Sequence, residues 1–341
     1  MRLHIGERAA EQPLCPVKVR FVESVFGRGR ISRDSRNFDV RCPICAPTDK
    51  TKLKLSVLTE ESADRALACH CWVCGYRSRS LWNLILRYGD KQQLFEFRDR
   101  FLPKDKHDCS WFLIDDATVA PQKLALPKDF KLLVTEPIRD PDVLAMRSYL
   151  VKRNVSERDM WFYKLGCSSN EPKWRRRIIV PSFDAQGELN HYVGRTIDKY
   201  QRPKYETPDG ERKHVIFNEL NIDWDSRLVV CEGTFDLMKC GENAVPLLGS
   251  DLNEQSALFN AIIAHRTPVA LALDADMRVT KLPRLHKKLA TFDIDVIVVT
   301  VPTDPGDMTK QEFRAALEAA QPLDWKQTFF DRLEVASRTV L

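Results

Sequence analysis

From Arg227 to about residue 320 the chain alternates apolar runs with amphipathic stretches, and this alternation narrows its fold more than any other feature. The runs predict strands over 228–231, 243–248, 268–273 and 294–301, and helices over 234–240, 255–265, 280–291 and 310–320. Strands that are apolar throughout, separated by amphipathic helices, belong to a parallel sheet flanked by helices. Ligands of such sheets sit beyond the carboxyl ends of the strands. Here those ends are acidic. Glu232 follows Leu228 to Cys231, Asp274 and Asp276 follow Val269 to Leu273, and Asp304 and Asp307 follow the last run in "VPTDPGDMT".

One acid at a strand end is usually a helix cap or a solvated group. Three strand ends that agree, with Asp236 four residues beyond Glu232, ask for another reason. Carboxylates gathered at one sheet edge repel, and a cation relieves the repulsion. Mg2+ takes oxygen ligands, keeps waters and bridges to phosphates, as in phosphoryl-transfer sites. The candidate magnesium ligands are therefore Glu232, Asp236, Asp274, Asp276, Asp304 and Asp307, with Mn2+ as the alternative ion.

The second constraint is a pair of C-x-x-C knuckles separated by 25 residues: "RCPICAP" supplies Cys42 and Cys45, and "CHCWVCGY" supplies Cys71 and Cys74. Two residues between thiolates let a tight turn aim both sulfurs at one zinc ion. Four thiolates close its coordination shell, so this zinc is structural. Cys69 and His70 compete as ligands but break the knuckle spacing, and are treated as spare. No apolar run reaches the roughly 18 residues of a membrane helix, and the start "MRLHIGERAAEQPLCP" has no signal-peptide core. The expected location is the reducing cytoplasm, without a membrane partner. Ten cysteines there are not a disulfide framework, and Cys15, Cys109, Cys167, Cys231 and Cys240 read as small buried residues.

The 341 residues, 43% hydrophobic and 30% charged, suffice for two or three modest domains. A net charge of +5 says little, but its distribution says more. Basic clusters at Arg28 to Arg41, Lys173 to Arg177 and Arg278 to Lys288 flank the motif segments, which tilts the reading toward a phosphate backbone. Residues 1–90 read as the zinc-bearing DNA-binding domain. Prolines and charges dilute any periodicity over 91–140, which reads as a linker. Two short helices are expected within 143–162, with Ser156 capping the second. "RRIIVPSFDAQGELNHYVGRTI" then reads as a hairpin about Asp184 to Gly187. There is no internal repeat.

E-G-x-x-D followed by D-x-D in a strand and helix alternation resembles the Toprim domain. A zinc ribbon, a mixed segment and Toprim in that order resemble the bacterial-type DNA primases. "RRRIIVPSFDAQGELNHYVGRTIDKYQRPKY" is similar to a primase block with a D-x-x-G turn, a G-R and a P-K-Y. Length, the compact zinc unit and "TDPGDM" look most like the free-standing primases of T-even-type phages. The resemblance implies an α/β architecture with 141–226 as the N-terminal half of an RNA polymerase core and 227–341 as Toprim with a helical end. It gives Glu232, Asp274 and Asp276 catalytic roles, the acids metal roles, and Arg195 and Lys204 the nucleotide phosphates or template. D-P-G-D is one residue longer than D-x-D, so either Asp304 or Asp307 faces the metal.

The resemblance further implies a nucleotidyltransferase, a DNA-directed RNA polymerase that makes short RNA primers on single-stranded DNA from ribonucleoside triphosphates. Its partners would be a separate hexameric replicative helicase and a single-strand-binding protein; the chain has no G-x-x-x-x-G-K-[ST] of its own. Trp72 and Tyr76 either stack on unpaired bases or pack over the knuckles. Two rival readings use the same residues: a Toprim nuclease, and a non-catalytic zinc and Toprim recombination mediator that binds single strands.

Overall fold

A computed structural model describes residues 14–33, 35–45, 52–60, 67–102, 124–209, 214–248, 252, 256–274 and 281–326. The chain forms two compact units, residues 1–122 and 123–341.

The first unit is built on antiparallel strands β1 (Arg30–Ile31), β2 (Asn37–Val40), β3 (Leu55–Leu58), β4 (Cys69–Cys71) and β5 (Arg77–Ser78), adjacent in that order. Alternation sets their burial: Leu55 and Val57 of β3 face inward while Ser56 is half-buried. Helices α1 (Pro16–Phe26), α2 (Trp82–Tyr88) and α3 (Lys91–Phe101) complete the unit. Part of the expected linker is therefore helix. Asp90 caps α3, accepting from the Gln93 amide at 2.7 Å while the Gln93 side chain returns to the Asp90 amide at 2.9 Å. Phe97 and Phe101 pack on Phe21 at ring-centroid distances of 5.8 and 5.0 Å. The aromatic anchors lie on two helices far apart in the chain, so a reading of local periodicity did not connect them.

The second unit opens at the other end of that supposed linker. Lys131–Leu132 (β6) pairs with Gly166–Cys167 (β7), and Leu133 is fully buried. Asp129 accepts from Ser168 Oγ and from the amides of Ser169 and Asn170. Strands β8 (Arg177–Phe183), β9 (Leu189–Thr196) and β10 (Tyr205–Glu206) continue this antiparallel sheet in the order β10-β9-β8-β7-β6. The expected hairpin is the β8–β9 pair. Helices α4 (Pro141–Lys152) and α5 (Glu157–Phe162) precede it, and Ser156 caps α5 through a reciprocal bond with Asp159.

The parallel sheet is present as expected. Strands β11 (Leu228–Cys231), β12 (Ala244–Pro246), β13 (Val269–Ala272) and β14 (Val296–Val298) run in the order β12-β11-β13-β14. The sequence did not signal the antiparallel edge strand β15 (Gln321–Pro322), a two-residue pairing next to β14. Between the strands lie α6 (Thr234–Cys240), α7 (Ala257–His265) and α8 (Leu282–Thr291), and α9 (Lys310–Glu318) follows β14. Every residue of β11 and β13 is buried, as continuous apolar runs require.

The boundary expected near residue 226 separates no cores. One cluster joins Leu133, Met146, Val180 and Val193 to Val229, Phe235, Ala270 and Phe313. The mixed segment and the parallel sheet bury their apolar faces against each other, so residues 123–341 act as a single packed body.

Candidate active site

Glu232 directly follows β11, and α6 starts two residues later. The chain turns because the Gly233 amide donates to Asp236 Oδ2 at 2.7 Å, closing the first turn of α6 on its own third residue. Asp236 is 8% exposed. Burial first, then the charges of Asp304 and Asp274, push its carboxyl up to about 7. Asp304 arrives from a 3-10 turn over Pro305–Asp307, whose Gly306 amide donates to Asp304 Oδ1 at 2.8 Å.

These acids meet in a cleft of about 280 Å³ lined by Glu232, Asp236, Asp274 and Asp304 together with Arg153, Arg195 and Lys204. The structure thus chooses within D-P-G-D. Asp304 lines the cleft, whereas Asp307 does not; it is half-exposed and pairs with Arg153 Nη1 at 3.0 Å. Of the two acids expected to face a metal, Asp304 caps the 3-10 turn at the cleft and Asp307 ends it beside Arg153. Asp276 lies outside the described residues.

Arg195 and Lys204 both line this cleft. Register places Tyr205 opposite Arg195 on β9 and β10. Arg195 is 7% exposed, donates Nη1 to the Tyr205 hydroxyl, and lies 5.2 Å from the Phe235 ring centre. Arg153, at the C-cap of α4, lies 5.7 Å from the same ring. Both guanidiniums stand over the same ring and line the same cleft, so an anion bound there meets two cations. Lys204 stays exposed, its backbone held where Arg177 donates Nη2 to the Pro203 carbonyl at 2.8 Å.

Sequence reasoning missed Arg153, Tyr205 and Phe235. The last two were legible as aromatics inside motifs already singled out; Arg153 carries no local signal. It also over-read the basic cluster before β8. Arg176 is spent on Asp142 and Asp198, at 2.5 and 2.7 Å, and Arg177 is 2% exposed and bonds backbone carbonyls. Both serve the fold, leaving Lys173 and Arg175 exposed at the surface.

In the first unit, the Sγ atoms of Cys42, Cys45, Cys71 and Cys74 lie within 4.8 Å of one another. Sulfurs bound to one zinc at about 2.3 Å stand roughly 3.8 Å apart in a tetrahedron. The Cys42–Cys74 and Cys45–Cys71 separations are 3.9 and 3.8 Å. The donor set fits. Gly75 closes the second knuckle at φ +75°, a conformation that L side chains rarely adopt. Cys69 is outside the cluster, buried on β4, so the expected register of ligands holds. Trp72 is 69% exposed, packs on His70 and donates to Ser56 Oγ at 3.1 Å, whereas Tyr76 is half-buried. Among the isolated cysteines, Cys167, Cys231 and Cys240 are buried and Cys15 is half-buried; Cys109 lies outside the described residues.

The carboxylates form a looser group. Among the described residues the four cysteines are the one set of three or more ligand atoms gathered closely enough for a metal. The oxygen-only donors of the cleft, and the raised proton affinity of Asp236, fit a hard cation that keeps most of its waters and needs one or two carboxylates.

The fold is that of an α/β protein with acids at the carboxyl edge of a parallel sheet, faced across one cleft by three cations. The chain resembles the bacterial-type DNA primases. It is 27% identical over 150 residues to the DNA primase of Staphylococcus aureus (strain COL), covering 40% of this chain and 24% of that one. The primase of Staphylococcus epidermidis is 26% identical over 155 residues, 41% and 25% of the two chains. The chain thus spans about a quarter of the length of these curated relatives. No family model matches it. Among solved structures, it is similar to the zinc-binding and RNA polymerase domains of Aquifex aeolicus primase, with 17% identity, 95% and 88% coverage and a TM-score of 0.47. The RNA polymerase domain of Mycobacterium tuberculosis primase DnaG gives 16% identity, 58% and 82% coverage and a TM-score of 0.46. No described helix is long and apolar enough to cross a membrane.

Proposed function

We propose that the chain is a DNA primase, a DNA-directed RNA polymerase that joins ribonucleoside triphosphates into short primers on a single-stranded DNA template. The observation that carries this reading is the cleft in which Glu232, Asp236, Asp274 and Asp304 face Arg153, Arg195 and Lys204. The likeness to primases in sequence supports it.

In the reaction, the 3′-hydroxyl of one ribonucleotide attacks the α-phosphate of the next, and pyrophosphate leaves. Arg153 and Arg195, both over the Phe235 ring, hold the triphosphate between them. Lys204, exposed at the rim, takes the template or a phosphate. Glu232 accepts the proton of the attacking hydroxyl. Asp236 shapes the site by holding the Gly233 amide. Mg2+, or Mn2+, would be held through one or two of Glu232, Asp274 and Asp304, with Asp276 as a further candidate ligand, and would supply charge neutralisation at the phosphates. Zinc at the four cysteines is structural and holds the knuckles from which Trp72 meets template bases. A separate hexameric helicase provides unwound template, with a single-strand-binding protein as a further partner, in the cytoplasm.

The test is incorporation of labelled ribonucleotides on single-stranded DNA by wild type and Glu232→Gln. A proton acceptor contributes about 10²- to 10⁴-fold, so the variant should lose that much while folding normally. Equal rates from two folded proteins would remove Glu232 from the mechanism and favour the non-catalytic mediator. Degradation of DNA without incorporation would favour the nuclease.

A further inference from the structure

Lys239 lies one turn beyond Phe235 and Asp236 on α6, and only 2% of it is exposed. A buried ammonium is costly unless its donors are met. Here they are met by backbone: Nζ donates to the carbonyl of Arg153 and, at 2.8 Å, to that of Asn154. These oxygens belong to the C-terminal end of α4, where carbonyls lack intrahelical partners and the helix dipole is negative. Lys239 therefore fixes the residue from which the Arg153 side chain departs. That side chain crosses the Tyr149 and Phe235 rings, at 5.4 and 5.7 Å, and is met by Asp307 at 3.0 Å. Phe235 and Lys239 are four residues apart, so one face of α6 supplies both the ring beneath the guanidinium and the anchor of its backbone.

We propose that Lys239 and Asp307 are positioning residues for Arg153: Lys239 holds its backbone and Asp307 holds its guanidinium toward the triphosphate of the incoming nucleotide. This rests on the reading of the cleft as a nucleotide site. It assigns Asp307, which stands outside the cleft, a part other than metal ligation. A solely stabilising role for Lys239 predicts a different result, because it would not depend on the presence of Arg153.

The experiment uses the full chain, with equilibrium binding of a fluorescent ATP analogue and extension of an annealed oligoribonucleotide on oligo(dT). Lys239→Met should raise Kd and KM for ATP about tenfold with little change in kcat, since it removes a charge-assisted anchor from a binding group. In an Arg153→Ala background it should add nothing. Asp307→Asn should raise KM by about 2- to 5-fold, as suits a half-exposed ion pair, with no change in the Mg2+ midpoint. Because Asp307 is at the surface, this variant tests the arrangement even if Lys239→Met fails to fold. Equal effects of Lys239→Met or Asp307→Asn with and without Arg153 overturn the inference while wild-type ATP binding upholds the nucleotide site. A shifted Mg2+ midpoint in Asp307→Asn restores Asp307 as a metal ligand and overturns its half. A wild type that binds no ATP overturns the nucleotide reading itself, and this inference with it.

Discussion

Replacing Gly306 with alanine isolates the geometry of the acidic cleft without changing any charge. A Cβ at this position would stand 2.9 Å from Asp236 Oδ1, 3.1 Å from Asp304 Oδ1 and 3.5 Å from Arg153 Nη1. The first contact is closer than side-chain carbons approach an oxygen, so something must move. Asp236 has little room, being 8% exposed and tied to the Gly233 amide through its other oxygen at 2.7 Å. The turn is also pinned, since the Gly306 amide bonds Asp304 Oδ1 at 2.8 Å. Overpacking by one methyl in such a place costs about 1–3 kcal/mol. For a unit of this size that lowers Tm by roughly 3–10 °C. The methyl also wedges Asp236 from Asp304, and misplacement of site groups by about an ångström costs up to roughly 100-fold in rate. Thermal unfolding and ribonucleotide incorporation against Mg2+ concentration measure both effects. A Gly306→Ala protein with wild-type Tm, rate and Mg2+ midpoint would refute the close packing on which the site description depends.

Cys71→Ser should lose the bound zinc and unfold the knuckles, whereas Cys69→Ser should keep one zinc per chain; metal analysis of the two purified proteins decides this. The metal-free protein should lose stability as the pH rises. Asp236 binds its proton more tightly folded, near 7, than at its ordinary 3.8, so its contribution is fully present below the lower value and lost through the upper. Denaturant titrations should show a slope on the order of a few kcal/mol across that window, absent from Asp236→Asn and from protein saturated with Mg2+. A flat profile in wild type would show that the carboxyl is not held in its neutral form.

Which parts of the molecule were legible follows from the range of the forces involved. The β8–β9 hairpin about its Asp184 turn, continuous apolar runs in β11 and β13, and the Ser156 cap are local patterns, and each appears where the sequence put it. The knuckle spacing belongs to the same category: two residues between thiols is a turn, and two such turns need only meet. The helix Lys91–Phe101 has a cap in Asp90 and Gln93, but it is short and charged, and the prolines beyond it dilute its periodicity.

The sequence by itself determined that acids end the strands of a parallel sheet and that four thiols share one centre, since covalent spacing and periodicity are properties of short segments. Only the tertiary structure decided which acids and bases share the cleft. Asp304 was separated from Asp307 by the sense of a single 3-10 turn, and Arg176 and Arg177 were withdrawn from phosphate binding by Asp142, Asp198 and the Pro203 carbonyl. Arg153 became a site residue through Phe235 and Lys239, more than 80 positions away along the chain. Such partners are chosen by the packing of one shared core, and a charge is free or spent according to what that packing places beside it.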